Sequence, residues 1–241
     1  MSSEPLLRLG GVGKNFGGLA ALNNVSFAVS PGEILGLVGP NGSGKTTAIN
    51  VISGVARADS GTILFEGRPV QALPSFRLAR RGINRTFQVP KTFREMTVRD
   101  NLEVATYFRR ARHPDIEAIL RETELAAHVD ELAGSLTVNQ QKMVDLGRAL
   151  ATGPKLLLVD EIGAGLNSHE LGGIAALLKR LAARGIALIV VEHLLNFLNR
   201  VTNRVIVLSA GQMLFEGTLK AASEEPAVVA AFIGGETREP A

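Results

Sequence analysis

Gly39-Pro40-Asn41-Gly42-Ser43-Gly44-Lys45-Thr46 has the residue types and spacing to wrap an anion, and it matches the pattern G-x-x-x-x-G-K-[ST]. Glycines let successive backbone N–H groups point inward, and a helix opening near Lys45 would add the positive end of its dipole. In that setting Lys45 reaches the outer phosphates of a nucleotide. The Thr46 hydroxyl becomes a magnesium ligand, and Thr47 extends the same nucleotide-binding run. Much later, Asp160-Glu161 closes the apolar run Leu156-Leu157-Leu158-Val159. Acidic residues often end strands, but with a phosphate loop upstream Asp160 can hold magnesium and Glu161 can polarise an attacking water. His193, just past Ile186 to Glu192, is a candidate γ-phosphate contact, and Gln88 follows the strand-like Ile83 to Phe87. Neither would carry meaning alone.

These residues need elements to position them. Ile34 to Val38 and Leu156 to Val159 are short, near-continuous apolar runs, the pattern of strands buried on both faces. Ligands of open α/β sheets gather outside the carboxyl ends of such strands, which is where the glycine loop and the two carboxylates fall. Leu22, Val25, Phe27 and Val29 alternate imperfectly up to the turn Ser30-Pro31-Gly32, and the N-terminal stretch reads as strands. Gly61 to Phe65 with Glu66-Gly67 suggests a strand and hairpin, and Lys45 to about Ser53 a helix. From about Arg94 to Thr152 the character changes. Thr97 with Asp100 resembles a capping box for a helix toward Arg110, and Pro114 suits the opening of a second helix from Asp115 to about His128. This block is charged and short of strand signals, which implies a helical insertion. The α/β rhythm then returns, with a helix over Ser168 to Arg184 stopped by Gly185, strands at Ile186 to Val191 and Val205 to Ser209, and a closing helix over Pro226 to Ile233.

Composition narrows the classes of function. With 241 residues and 46% hydrophobic side chains the chain can form one α/β domain with a real core. Lys and Arg total 26 against 23 Asp and Glu, and one tyrosine with no tryptophan offers few stacking platforms; nucleic acid is not an expected partner. The lack of cysteine excludes disulfides, zinc–thiolate sites and thiol catalysis. Met1 to Gly10 lacks the pattern of a secretory signal, and no apolar run approaches the ~18 residues of a membrane span. The chain is therefore expected to be soluble by itself, with any membrane role coming through a partner.

The order of phosphate loop, Gln88, Asp160-Glu161 and His193 resembles the ATP-binding-cassette (ABC) ATPases over nearly the whole chain. The resemblance implies a P-loop NTPase (RecA-like) core with an N-terminal antiparallel β subdomain, core segments at 1–93 and 153–241, and an inserted helical subdomain at 94–152. It implies ATP and Mg²⁺ as cofactors and makes Phe16 the residue that stacks on adenine. Gln88 then touches magnesium and leans on a transmembrane partner. Leu136-Thr137-Val138-Asn139-Gln140-Gln141 stands where the family signature, usually Leu-Ser-Gly-Gly-Gln, meets the γ-phosphate held by a second cassette, identical or related. Ala164 to Asn167 matches the loop that couples two sites. Thr137 and Gln140 keep the family chemistry, whereas Val138 and Asn139 replace glycines and Ile162 replaces a proline. Asn139, a favoured N-cap, is expected to open the following helix but also to place a side chain where backbone should approach phosphate, slowing the site that it completes.

Lys14 to Leu22, Arg85 to Gln88, Thr92 to Val98, Gly163 to Asn167 and Glu216-Gly217-Thr218 are similar to the ATPases of branched-chain amino-acid importers. That implies permease subunits and, indirectly, a solute-binding protein as partners, and a place on the cytoplasmic face of the membrane. Lipid-transport ATPases share several of these runs. A weakly hydrolysing regulatory subunit and a soluble cassette of DNA repair or translation are further alternatives.

Overall fold

The computed structural model describes residues 4–107 and 114–235. The chain runs β1 (Leu7–Phe16), β2 (Leu19–Val29), β3 (Ile34–Val38), α1 (Lys45–Ile52), β4 (Ser60–Phe65), β5 (Arg68–Pro69), α2 (Ser75–Arg81) and β6 (Ile83–Arg85). It continues through α3 (Val98–Thr106), α4 (Ile116–Glu122), α5 (Val138–Ala151), β7 (Leu156–Asp160), α6 (Ser168–Ala183) and β8 (Ala187–Val191). α7 (Leu195–Val201), β9 (Arg204–Ser209), β10 (Gln212–Gly217), α8 (Leu219–Glu224) and α9 (Pro226–Gly235) complete it.

Two sheets form. An antiparallel sheet has the order β2-β1-β4-β5, as the N-terminal strand signals imply. The second has the order β10-β9-β3-β8-β7-β6, parallel throughout except for the edge strand β10. Every residue of β3, β7 and β8 is buried, which accounts for their unbroken apolar sequences. Successive side chains of a strand face opposite sides, and the cores divide accordingly. Leu157 and Val159 of β7 join a core shared with α3, α5 and α6, while Leu156 and Leu158 join one shared with α1 and the antiparallel sheet.

Two sequence boundaries change. The helix expected over 115–128 stops at Glu122: the Thr123 hydroxyl donates back to the Ile119 carbonyl (2.8 Å), and Glu124 takes a left-handed φ of 59°. A short 3-10 turn at Ala126–His128 replaces its last part. The strand expected over 83–87 ends at Arg85, and the next N–H but one, that of Phe87, donates to Asp145 of α5 (2.9 Å) rather than to a neighbouring strand. The helix opened by Thr97 and Asp100 does carry the full capping box and runs to Thr106; Arg110 lies outside the described residues. α2, α7, α8 and β10 have no individual counterpart in the sequence reading.

Candidate active site

The strand order β3-β8-β7-β6 lines up four carboxyl ends side by side, and each carries one of the singled-out groups. From β3 the chain enters the glycine loop. Gly39 has φ 149°, and a Cβ there would sit 2.1 Å from the Leu208 carbonyl oxygen; Gly44 has φ 106°, and a Cβ would meet the Ala21 carbonyl at 2.6 Å. Only glycine fits at either position. Gly44 is also the N-cap of α1 and supplies no capping side chain, so the first-turn N–H groups of α1 face the loop uncapped. Gly42, at φ 74°, turns the loop through an open region beside exposed Asn41.

Lys45, buried at the start of α1, donates to the carbonyls of Gly39 (2.8 Å) and Pro40 (2.9 Å). Burial lowers its pKa from the ordinary lysine value, while the Glu161 and Asp160 carboxylates act in the opposite direction. The buried Ser43 hydroxyl has no hydrogen-bond partner among the described residues. A cradle that excludes a Cβ at Gly39 and Gly44, uncapped N–H groups, a buried ammonium and an orphaned hydroxyl together fit a phosphate chain. Thr46 is exposed and Thr47 half-buried on the first turn. Phe16, half-exposed at the end of β1 with the Lys14 ammonium 5.2 Å from its ring centroid, gives a flat apolar platform. Its hairpin joins the loop through β2, whose Ala21 carbonyl abuts Gly44.

At the end of β7, Asp160 is buried and paired with Arg85 (3.2 Å), which also donates to Asn50 (2.7 Å). Desolvation raises the Asp160 pKa, Arg85 opposes this and the adjacent Glu161 adds to it. Glu161 holds a left-handed φ of 48°, a strained conformation for a side-chain-bearing residue that typically costs about 1–3 kcal/mol, fixed by its N–H donating to Val191 (2.9 Å). Its two carboxylate oxygens divide their contacts. Oε2 accepts from the Gln88 amide (2.6 Å), and Oε1 lies 3.0 Å from His193 Nε2. Gln88 and His193, far apart in sequence, thus meet at the Glu161 carboxylate, which also acts electrostatically on Lys45. Among the described residues, no three or more His, Cys, Asp or Glu side chains form a metal-binding group. A magnesium ion is ordinarily held by one or two carboxylates together with substrate phosphates, and Asp160 with Thr46 suits that mode.

The signature region is arranged differently. Thr137, not Asn139, is the N-cap of α5, and its hydroxyl and the Gln140 side chain form a reciprocal capping box. Asn139 lies inside the first turn instead, because the cap at Thr137 already satisfies the free N–H of Gln140. Its amide donates to Glu170 of α6 (2.9 Å), and Val138 is the exposed side chain. Gln140 Nε2 lies 2.9 Å from His128 Nε2, whose Nδ1 is 2.7 Å from Glu131. Sequence reading missed four further residues that shape the site. Asp145 accepts from Phe87 N–H, and Asn101 from Phe93 N–H (2.8 Å), pinning the chain on either side of Gln88. Glu192 accepts from Gly163 N–H (2.6 Å), and Lys142 donates to the Ala164 carbonyl (2.6 Å). Glu192, a charge directly before His193 at a buried strand end, is the one of these that sequence could have flagged.

A family model described as ABC transporter matches residues 22–164. The chain belongs to the ABC transporter family. As a member it is an ATPase with the P-loop NTPase fold. The ABC relatives include the high-affinity branched-chain amino acid transport ATP-binding protein BraF of Pseudomonas aeruginosa, 32% identical over 96% of this chain and 99% of BraF. LivG of Escherichia coli K12, with the same description, is 34% identical over the same shares. Among solved structures, the ADP conformation of the ATP-binding cassette MJ1267 superposes with TM-score 0.86 at 33% identity, over 96% of this chain and all of that one. The cassette MJ0796, solved as a dimer in a post-hydrolysis state with ADP and Pi, gives TM-score 0.79 at 27% identity, over 88% and 98%. Among the described residues of this ABC cassette, no helix is long and apolar enough to cross a membrane.

Proposed function

We propose that this cassette hydrolyses ATP·Mg²⁺ to energise the import of branched-chain amino acids, as one of two cassettes docked on transmembrane subunits at the cytoplasmic face of the membrane. The observation that carries the solute class is end-to-end likeness to BraF and LivG. In this reading the loop 39–44 and Lys45 hold the phosphates, and Thr46, Asp160 and Gln88 serve magnesium, which would draw charge from the transferred phosphoryl group. Glu161 orients the water, His193 contacts the γ-phosphate and Phe16 stacks on adenine. Thr137, Val138, Asn139 and Gln140 face the nucleotide of the other cassette.

The membrane contact falls to a cleft of about 1260 Å³ between the sheet and the helices α3 and α5. Gln88 touches Glu161 at one end of the segment 88–93, and Phe93, half-exposed over Arg148 (4.5 Å from its ring centroid), lines the cleft at the other. Seven Lys or Arg side chains against two carboxylates line it, so the docking segment is acidic with an apolar anchor. Native mass spectrometry of the complex from detergent-solubilised membranes identifies the companions. ATP-dependent leucine uptake by vesicles holding that complex, absent with Glu161→Gln, is the expected result. Phospholipid movement without amino-acid uptake overturns the solute class.

A further inference from the structure

The departure of this signature from glycine has a partner in the structure. Glu170 sits in the first turn of α6, directly after the loop 163–167. Its Oε1 accepts from Asn139 Nδ2 (2.9 Å) and its Oε2 from the Asn167 N–H (2.8 Å). The Asn167 side chain in turn accepts from the N–H groups of His169 (2.9 Å) and Glu170 (3.0 Å), so both carboxylate oxygens are engaged in a closed circuit. One turn along α5, on the same face, buried Lys142 donates to the carbonyls of Ala164 (2.6 Å) and Ile162 (3.3 Å). From the opposite side Glu192 takes the Gly163 N–H. The loop that leaves Glu161 is therefore latched at its start by Lys142 and Glu192, and at its end by Asn139.

We propose that Asn139 is a positioning residue: acting through Glu170, it fastens the start of α5 to the loop 163–167, so that both present themselves to a second cassette as one rigid unit. This rests on the reading that a second cassette completes the ATP site. Glycine at 139 has no group to make the tie, and it loosens the first turn of α5 as well. The steric objection to a side chain here weakens, because the Asn139 amide is turned onto α6 and Asn139 is only partly exposed, whereas Thr137 and Val138 are exposed. A charge-assisted bond to a doubly engaged carboxylate is also stronger than a neutral one.

Reversing the polarity of the pair tests the tie in the purified full-length chain. Asn139→Asp sets two carboxylates against each other and is expected to lower kcat roughly tenfold, with KM for ATP changed less than about twofold. Glu170→Gln should stay near the wild-type rate, since the Asn139 amide can rotate to offer its oxygen. In the double variant N139D/E170Q, the amide introduced on α6 donates to the carboxylate introduced on α5 while still accepting from Asn167, and most of the rate should return. Backbone hydrogen exchange over 163–171 should accelerate in N139D and recover in the double variant, a readout that needs no turnover. A double variant as slow and as fast-exchanging as N139D, an unaltered N139D, or a glycine variant faster than wild type overturns the proposal. The two-cassette reading is judged separately: a specific activity of wild type that does not rise with protein concentration removes it, while the exchange pattern decides the Asn139–Glu170 tie.

Discussion

The two parts of this cassette proposed to face nucleotide are built from opposite materials. The loop 39–44 is a backbone device: glycines at left-handed φ, N–H groups without caps at the start of α1, and carbonyls to which Lys45 is bound. The signature is a side-chain device, in which Thr137 and Gln140 close a capping box, Gln140 leans on His128, and Asn139 is tied to Glu170. A backbone cradle tolerates almost no substitution, because any Cβ at Gly39 or Gly44 meets a main-chain oxygen. A side-chain device can drift in sequence as long as its partners drift with it. The contrast explains how this chain keeps a standard phosphate loop and an unusual signature together.

The sharpest separation should come from Glu161→Gln. Catalysis of phosphoryl transfer is largely positioning and electrostatics, so turnover should fall by a factor of about 10²–10³ while ATP affinity holds within a few-fold. Single-turnover hydrolysis alongside nucleotide-binding isotherms measures both, and equal losses in the two would remove Glu161 from the chemistry. The next largest effect concerns the cleft. Phe93→Glu places a carboxylate where an acidic segment is expected to dock, so transport by the reconstituted complex should drop at least tenfold while basal ATPase stays within about twofold. Parallel loss of both activities would tie Phe93 to the site rather than to the membrane partner.

The smallest effect is on stability, and its sign is specific. Burial raises the Asp160 pKa. Its contribution to stability is thus fully present below the unfolded value, about 3.9, and is lost as pH rises through the folded value. Once ionised, the buried group is expected to oppose folding. Asp160→Asn keeps an oxygen for Arg85 and should raise Tm by about 3 °C at pH 8 in EDTA while abolishing hydrolysis. The gain should narrow as pH falls toward the ordinary carboxylate value. Scanning fluorimetry across that range reads it, and a lowered Tm at pH 8 would mean that the pair with Arg85 outweighs burial.

The backbone device was also the legible one. The eight residues of its motif, Gly39 to Thr46, are contiguous, and the strands that carry it and Asp160 are short apolar runs with no competing period. His193 and Gln88 needed the order of the whole chain to gain meaning, and their meeting at Glu161 depends on a strand order that no local pattern encodes. Asn139 was misplaced as a cap for the same reason. Thr137 is an equally good cap two residues earlier, and the carboxylate that engages Asn139 lies 31 positions away. Asp145 and Asn101 look like ordinary polar positions of amphipathic helices, and only the backbone N–H groups that they accept from reveal them.

The division of β7 between two cores also governs how this molecule can move. Leu157 and Val159 are packed against the helices α3, α5 and α6, and Leu156 and Leu158 against α1 and the antiparallel sheet. The helix that carries the signature, α5, shares one hydrophobic core with the strand that ends in Asp160 and Glu161. Displacing it means sliding close-packed side chains across a sheet, a shear in small discrete steps rather than the swing of a hinge. A force applied at the cleft therefore has two routes to Glu161, through the segment 88–93 and through the packed strand itself.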